Sequence, residues 1–224
     1  MKIKEKLLHH FIEDFIDENS IIVDLGGNKG EFSKFIVDEF KAKSYVMEPI
    51  PELFNQIPEN PKIKKFQCCI SKEKNIEISI PENQCATIYD KNFNKKIICK
   101  GITLEDFLKE NNIKKVDLLK VDIEGAEIEM FENLSEEILK NINQITVEFH
   151  DFLWPELKPK VELIKNKIQN SEFYCISFSI TNNGDVLFVK KNLISKFQYL
   201  YLKYFERFRR GLIRRIKKYL KINE

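Results

Sequence analysis

What the chain lacks narrows its class. Glycine and proline each occur only seven times in 224 residues, which excludes collagen-like and low-complexity disordered chains. No run of eighteen apolar residues exists, so nothing is expected to span a membrane as a helix. The N-terminus carries lysines but no long apolar core, so it does not read as a secretory signal. The cysteines are Cys68, Cys69, Cys85, Cys99 and Cys175, an odd number with no Cys-x-x-Cys pair. That argues against a disulfide framework or a zinc site and for a reducing compartment. The chain also has neither the Gly-x-Gly-x-x-Gly of nicotinamide binders nor the lysine-closed loop of nucleoside triphosphatases.

What is present suits one globular core. The length allows a single sizeable domain and is short for two, and 43% of residues are hydrophobic. The net charge of +2 hides an uneven distribution. Residues 196–224 hold ten Lys or Arg against two Glu, which leaves an acidic body with 27 basic and 33 acidic side chains.

Residues 22–33 are the most informative stretch. An apolar run from Ile21 to Leu25 reads as a buried strand. It carries Asp24 and breaks through Gly26, Gly27, Asn28 and Gly30, and Phe32, Phe35, Ile36 and Phe40 follow at helical spacing. Such a turn brings bare backbone N–H groups and a helix N-terminus toward a ligand. An acid ahead of the glycines suits a ligand with a cationic amine, such as S-adenosylmethionine. Glu48 ends the next strand-like run, 44–48. An acid at that place in nucleotide-binding α/β units accepts the ribose hydroxyl hydrogens.

Strands are predicted at 21–25, 44–48, 64–70, 116–121, 143–149, 173–179 and 185–190. Helices are predicted at 31–41, 50–56, 103–111, 124–140 and 156–170. Their alternation predicts a doubly wound, mostly parallel α/β sheet. Asn182-Asn-Gly-Asp185 reads as a hairpin turn that leaves the last strand antiparallel, at or near the sheet edge. Runs 75–80 and 96–100 break the alternation and read as an inserted pair, with the loop 81–95 near the substrate entrance. Residues 3–18 are expected to be an N-terminal helix, from the stripe Ile3, Leu7, Leu8, Phe11, Ile12, Phe15 and Ile16. His9 and His10 on it are expected to be solvated.

Five separated motifs carry a family resemblance: Val23-Asp-Leu-Gly-Gly-Asn-Lys-Gly30, Glu48-Pro-Ile-Pro-Glu52, Thr103-Leu-Glu-Asp-Phe107, Asp117-Leu-Leu-Lys-Val-Asp-Ile-Glu-Gly-Ala-Glu127 and Val147-Glu-Phe-His150. In that order, over roughly residues 20 to 190, they resemble the FkbM-type methyltransferases. The resemblance implies a Rossmann-like class I fold. It implies S-adenosylmethionine as cofactor and transfer to a hydroxyl oxygen of a sugar, glycan, lipid or natural product. The expected cofactor site is Asp24, Gly26, Gly27, Asn28, Gly30, Glu48 and Asp122. The expected catalytic residues are Lys120, Asp122, Glu124 and His150.

His150 is a natural general base, because an ordinary histidine titrates near neutrality. Alternatively, Asp122, Glu148 and His150 could hold a divalent metal that lowers the acceptor's pKa; the reaction does not require one. Glu124 and Glu127 also fit the acidic first turn of a helix, and Phe152 and Trp154 could line an acceptor pocket for a sugar ring or simply pack in the core.

The domain is expected to span residues 1–192, followed by a basic amphipathic C-terminal helix over 193–224. Tyr201, Phe205, Phe208, Leu212, Ile216 and Tyr219 form its apolar stripe, and Lys203, Arg207, Arg210, Arg214, Lys217 and Lys221 its basic one. An anionic membrane surface, nucleic acid, or self-packing on the domain or a second subunit are the competing partners. Nucleic acid is disfavoured, because the body is acidic and shows no aromatic stacking motif. The expected location is the cytoplasm, or the inner face of a membrane. Acceptors in view are a glycan, a lipid-linked sugar or a small hydroxyl compound, with an RNA methyltransferase or a non-catalytic cofactor-binding module as alternatives. No oligomeric state is specified.

Overall fold

The computed structural model describes residues 1–80, 95–179 and 182–209. Its centre is a seven-stranded sheet. In chain order the strands are β3 (Ile21–Leu25), β4 (Lys43–Met47), β5 (Ile63–Phe66), β9 (Val116–Val121), β10 (Ile142–Val147), β11 (Phe173–Ser177) and β12 (Val186–Lys190). Numbering leaves β1 (Ile3–Lys6) and β2 (His9–Ile12) for an N-terminal hairpin. It leaves β6 (Cys69–Ile70), β7 (Asn75–Ile80) and β8 (Lys95–Ile102) for a small side sheet. The spatial order of the large sheet is β11-β12-β10-β9-β3-β4-β5. Neighbouring pairs from β10 to β5 are parallel, and β12 runs antiparallel to both of its neighbours. The expected doubly wound α/β sheet with a near-edge antiparallel hairpin strand is therefore present.

The parallel strands form because both of their faces are covered, which selects near-continuous apolar runs. Six helices connect or cover them: α1 (Glu31–Phe40), α2 (Pro51–Phe54), α3 (Leu104–Glu110), α4 (Glu127–Asn133), α5 (Glu136–Lys140) and α6 (Lys158–Asn170). Leu119, Val121, Ile145, Val147, Phe131 and Phe149 are all buried in the main core. The helix expected over 124–140 is two helices. Leu134 is extended (ψ 126°), and the Ser135 side chain accepts from Ile138 N to start α5. Lys167 of α6 closes the end of α4 by donating to the carbonyls of Phe131, Glu132 and Leu134 at 2.8, 3.0 and 2.8 Å. The strand expected at 64–70 likewise divides into β5 and β6.

The N-terminal helix expected over 3–18 is not formed. Residues 3–12 make an antiparallel hairpin with register Ile3↔Ile12 and Lys6↔His9, followed by a short 3₁₀ turn at Glu13–Phe15. Leu7 and Leu8 are its two-residue loop, at φ 51° and 62°. Both are exposed. The helical stripe was thus partly a turn. Tertiary contacts decide the outcome. Every residue of β2 is buried, Phe11 packs with Phe32 and Leu118, and Ile12 packs with Phe178 and Leu187. The Gln144 side chain on β10 accepts from Ile12 N at 2.8 Å and donates to Ile12 O at 3.2 Å, satisfying backbone that a helix would have bonded internally.

His9 and His10 are correspondingly buried rather than solvated. His10 stacks on Phe178 with centroids 4.0 Å apart and lies between Asp185 and Glu5. Burial pulls its pKa down, but hydrogen bonds to Asp185 and Glu5 outweigh that and raise it.

The inserted pair is observed as β7 and β8, antiparallel, with β6 parallel to β8. Most of the loop placed at the entrance lies outside the described residues. At the other end, Ser195 caps α7 (Lys196–Leu200) through a capping box with Gln198. The helix continues through a wider π turn at Tyr201–Glu206. Ile194 and Leu202 belong to the core cluster with Ile12, Ile176 and Leu187. The segment after residue 192 therefore begins as part of the domain. Tyr201, Phe205 and Phe208 of the apolar stripe are exposed, and the stripe beyond residue 209 lies outside the described residues.

Candidate active site

The carboxyl ends of β3, β4, β9 and β10 meet at one edge, where α/β sheets bind ligands. The register sets Asp24 beside Lys120 and Thr146 on the other side of Lys120. Asp24 is fully buried. Its Oδ2 accepts from Ser33 Oγ at 2.7 Å, and Oδ1 lies 3.2 Å from Lys120 Nζ. Lys120 donates to Gly26 O at 2.6 Å and lies 3.6 Å from Asp122 Oδ2. Burial alone would lower the Lys120 pKa, but Asp24 and Asp122 outweigh it and the ammonium is held. Asp24 and Lys120 thus form an ion pair beneath the glycine turn. Asp24 does not line the cleft described below.

The glycine turn differs from expectation in its donors. Gly26 N and Gly27 N both bond to Met47 O, at 3.1 and 2.8 Å, and Gly30 N bonds to Gly27 O at 2.8 Å as α1 begins. Those three amides are not bare. What the turn supplies is close approach. Gly26 has φ +76°, and a Cβ there would lie 1.7 Å from Asp122 O. At Gly27 a Cβ would meet Val46 Cγ1 at 2.1 Å. The turn can therefore press against both β4 and Asp122, the residue just after β9.

Glu48 is buried, and its two oxygens are held by backbone. Oε2 accepts from Asn28 N at 2.8 Å and Oε1 from Ile50 N at 2.9 Å. Each oxygen keeps a lone pair for another donor. Burial pushes the carboxyl up to about 7, against the pull of those two N–H groups. Gly26, Asn28, Glu48, Asp122 and Glu124 line one side of an open cleft. Met47, Ile50, Leu53, Cys68, Ile70 and Ile78 give it an apolar wall.

The loop from Asp122 to Ala126 borders the cleft. Glu124 and Gly125 have φ of 51° and 108°. Glu127, at the start of α4, holds the loop in shape. Its carboxylate accepts from Ile123 N at 3.0 Å and from Gly125 N at 3.1 and 3.0 Å. Glu127 also faces His150 Nδ1 at 3.0 Å. Glu127 is thus more than an acidic first turn.

His150 is buried with a carboxylate on each ring nitrogen, since Nε2 lies 3.2 Å from Glu124 Oε2. Two acceptors call for an imidazolium that donates on both sides. Burial works against that charge, but Glu127 and then Glu124 outweigh it and raise the pKa to about 9. The near-neutral general base expected of His150 is corrected: its ring is held protonated. For Asp122, burial is outweighed chiefly by the Lys120 ammonium, which holds its carboxyl well below the usual range. Glu148 is half-buried, and burial together with the Asp122 charge pushes it up to about 7.

The suggested metal set of Asp122, Glu148 and His150 is redistributed. The potential ligand atoms group as Asp122–Glu124–His150 and as His9–Asp122–Glu148, each within 4.8 Å. His9 was missed because no local pattern marks a residue on a hairpin that reads as a helix. Phe152 is exposed, 5.5 Å from the His150 ring, with Trp154 half-buried nearby in sequence.

The cleft suits a nucleoside: it has an apolar slot and a backbone-held carboxylate with free lone pairs. The model of the methyltransferase FkbM domain matches residues 24–199 of this chain. A protein described as methyltransferase 1 from Beauveria bassiana is 27% identical over an alignment of 164 positions, covering 60% of this chain and 66% of the relative. Methyltransferase sdnD of Sordaria araneosa is 24% identical over 193 positions, covering 66% of this chain and 73% of its own. Among solved structures, an rRNA methylase from Streptococcus thermophilus aligns with a TM-score of 0.47 and 12% identity, over 79% of this chain and 90% of that one. With 176 consecutive residues matched by the domain model, the chain belongs to the FkbM methyltransferase family.

Proposed function

We propose that this protein transfers a methyl group from S-adenosylmethionine to a hydroxyl oxygen of an uncharged acceptor, a sugar or a related polyol. The carrying observation is Glu48. Its two oxygens are positioned by Asn28 N and Ile50 N, and each retains a lone pair facing a cleft with an apolar wall. That arrangement accepts both hydrogens of a ribose diol, while Met47, Ile50 and Ile70 offer a flat face to a base. Gly26, Asp122 and Glu124 border the same cleft and would flank the tail of that molecule.

When bound, the donor supplies a sulfonium-activated methyl group. An acceptor oxygen forms the new bond to that carbon, the carbon–sulfur bond breaks with its electron pair going to sulfur, and the hydroxyl proton must leave. The chain's part is to align the acceptor and receive that proton. His150, with a carboxylate on each nitrogen, holds Glu124 and Glu127 in place, and the proton passes to a carboxylate oxygen of Glu124, which lines the cleft. An acidic rim suits an uncharged acceptor and repels an anionic one. Exposed Phe152 gives a sugar ring an apolar face beside it.

The C-terminal segment supports work at an anionic membrane surface. Phe197, Tyr204, Phe205 and Phe208 are exposed on it, in a stretch with ten basic residues against two acidic. Co-sedimentation with vesicles of anionic phospholipid should fall when Phe205 and Phe208 are changed to Ser, and equal sedimentation would remove the membrane from this reading.

The reaction itself is tested by incubating the chain with radiolabelled donor and extracts separated into glycan, lipid, RNA and small-molecule fractions. Alkali-stable label on a glycan, lipid-linked sugar or polyol is expected. Label confined to RNA, or no transfer despite donor binding, would overturn it.

A further inference from the structure

We propose that His9 Nε2, Asp122 and Glu148 form a binding site for one divalent first-row transition ion beside the cleft. The potential ligand atoms of the three side chains already lie within 4.8 Å of one another. His9 Nε2 is 3.5 Å from Asp122 Oδ2. The His9 ring is 1% exposed, and among the described residues its Nε2 has no hydrogen-bond partner. A buried, unpartnered ring nitrogen is costly unless something fills its lone pair.

The rest of the ring is fixed for that role. Nδ1 sits 3.3 Å from Thr146 Oγ1; in the tautomer that donates from Nδ1 to that hydroxyl, Nε2 carries the ring's lone pair. Phe32 lies edge-on to the ring at 5.9 Å. The Glu148 carboxylate makes no hydrogen bond or ion pair among the described residues. Lys120, the nearest cation to Asp122, is tied down by Asp24 and Gly26 O. The competing group of Asp122, Glu124 and His150 lacks a free nitrogen, because Glu127 and Glu124 already face the two nitrogens of His150.

One imidazole and two carboxylates suit Mn²⁺, Zn²⁺ or a neighbour in that series better than Mg²⁺, which favours oxygen and water. His9 precedes residues 24–199, so the ligand set joins the N-terminal hairpin to the matched domain. The site stands on these residues alone. Its role, lowering the pKa of an acceptor hydroxyl, rests on the methyl-transfer reading.

The test is Mn²⁺ titration of the full chain after chelator treatment and dialysis, read by loss of the free-ion electron paramagnetic resonance signal. One equivalent should bind to the wild type. His9→Gln and Glu148→Gln should each weaken binding by at least about 10-fold, with melting temperatures followed to show that both fold. No saturable binding, or wild-type affinity in both variants, would overturn the site. Donor binding is measured in parallel by calorimetry with chelator present. Donor bound without Mn²⁺ uptake removes the ion alone. Mn²⁺ bound without donor supports the site and removes the methyl-transfer reading.

Discussion

The two sides of the site are held together by different forces. Around Glu48 the cleft is shaped by backbone: amides of Asn28 and Ile50 hold the carboxylate, Met47 O holds the glycine turn, and the wall is apolar. Around Asp122 the rim is charge held by charge. Glu127, His150, Asp122, Lys120 and Asp24 form a continuous chain of opposite partners, with Glu124 a second carboxylate on His150. Backbone and packing tolerate the loss of one side chain far better than a buried ionic chain does. Removing a side chain on the first side should therefore impair chiefly binding, and on the second stability as well as turnover.

The sharpest break is expected at Glu127→Ala. Removing it strips Ile123 N, Gly125 N and the His150 ring of their acceptor. A buried pair broken on one side costs about 3–5 kcal/mol, and urea unfolding should show a loss of that order together with lost turnover. Wild-type stability in this variant would mean the rim is not held by charge. Gly26→Ala should come next, because its Cβ would collide with Asp122 O at a positive φ. A loss of roughly 2–3 kcal/mol is expected, with donor binding abolished by calorimetry.

A smaller effect, confined to binding, is expected from pH. Only the ionised Glu48 can accept from both hydroxyls, and its carboxyl is raised to about 7. Donor affinity should rise as pH increases from about 6 to 8, and Glu48→Gln should flatten that rise. The stability sign is opposite. A carboxyl raised in the folded state holds its proton more tightly than in the unfolded chain, so its contribution is present at low pH and lost as pH rises toward 7. The smallest effect should be that of His9→Gln on donor affinity measured with chelator present, which should stay within about twofold because His9 makes no part of the cleft wall. A larger loss would join the two sides.

The same contrast explains what could be read from the residues alone. The strands at 21–25 and 116–121 were legible because both of their faces are covered, so each is a largely apolar run that carries only Asp24, or Asp117 and Lys120, as charged residues. The place of Glu48 beside the cleft was legible because it directly follows a strand end. The hairpin at 3–12 was not, since its turn is Leu7-Leu8 instead of Asn or Gly, and its docking depends on Gln144, far away in the chain. For Asp24 the strand end was legible but the pairing was not: register with Lys120 turns a residue expected to meet the ligand into a buried support. His150 shows the same limit, because its protonation follows from Glu124 and Glu127, whose reach depends on a loop with two left-handed residues.

The central claim is that Glu48 anchors a sulfonium nucleoside in the cleft. Calorimetric titration of S-adenosylmethionine into the wild type and Glu48→Gln at pH 8 tests it most directly. One equivalent should bind to the wild type, and the variant should bind about 10- to 100-fold more weakly while remaining folded. No binding to the wild type, or equal affinity in the two, would contradict it.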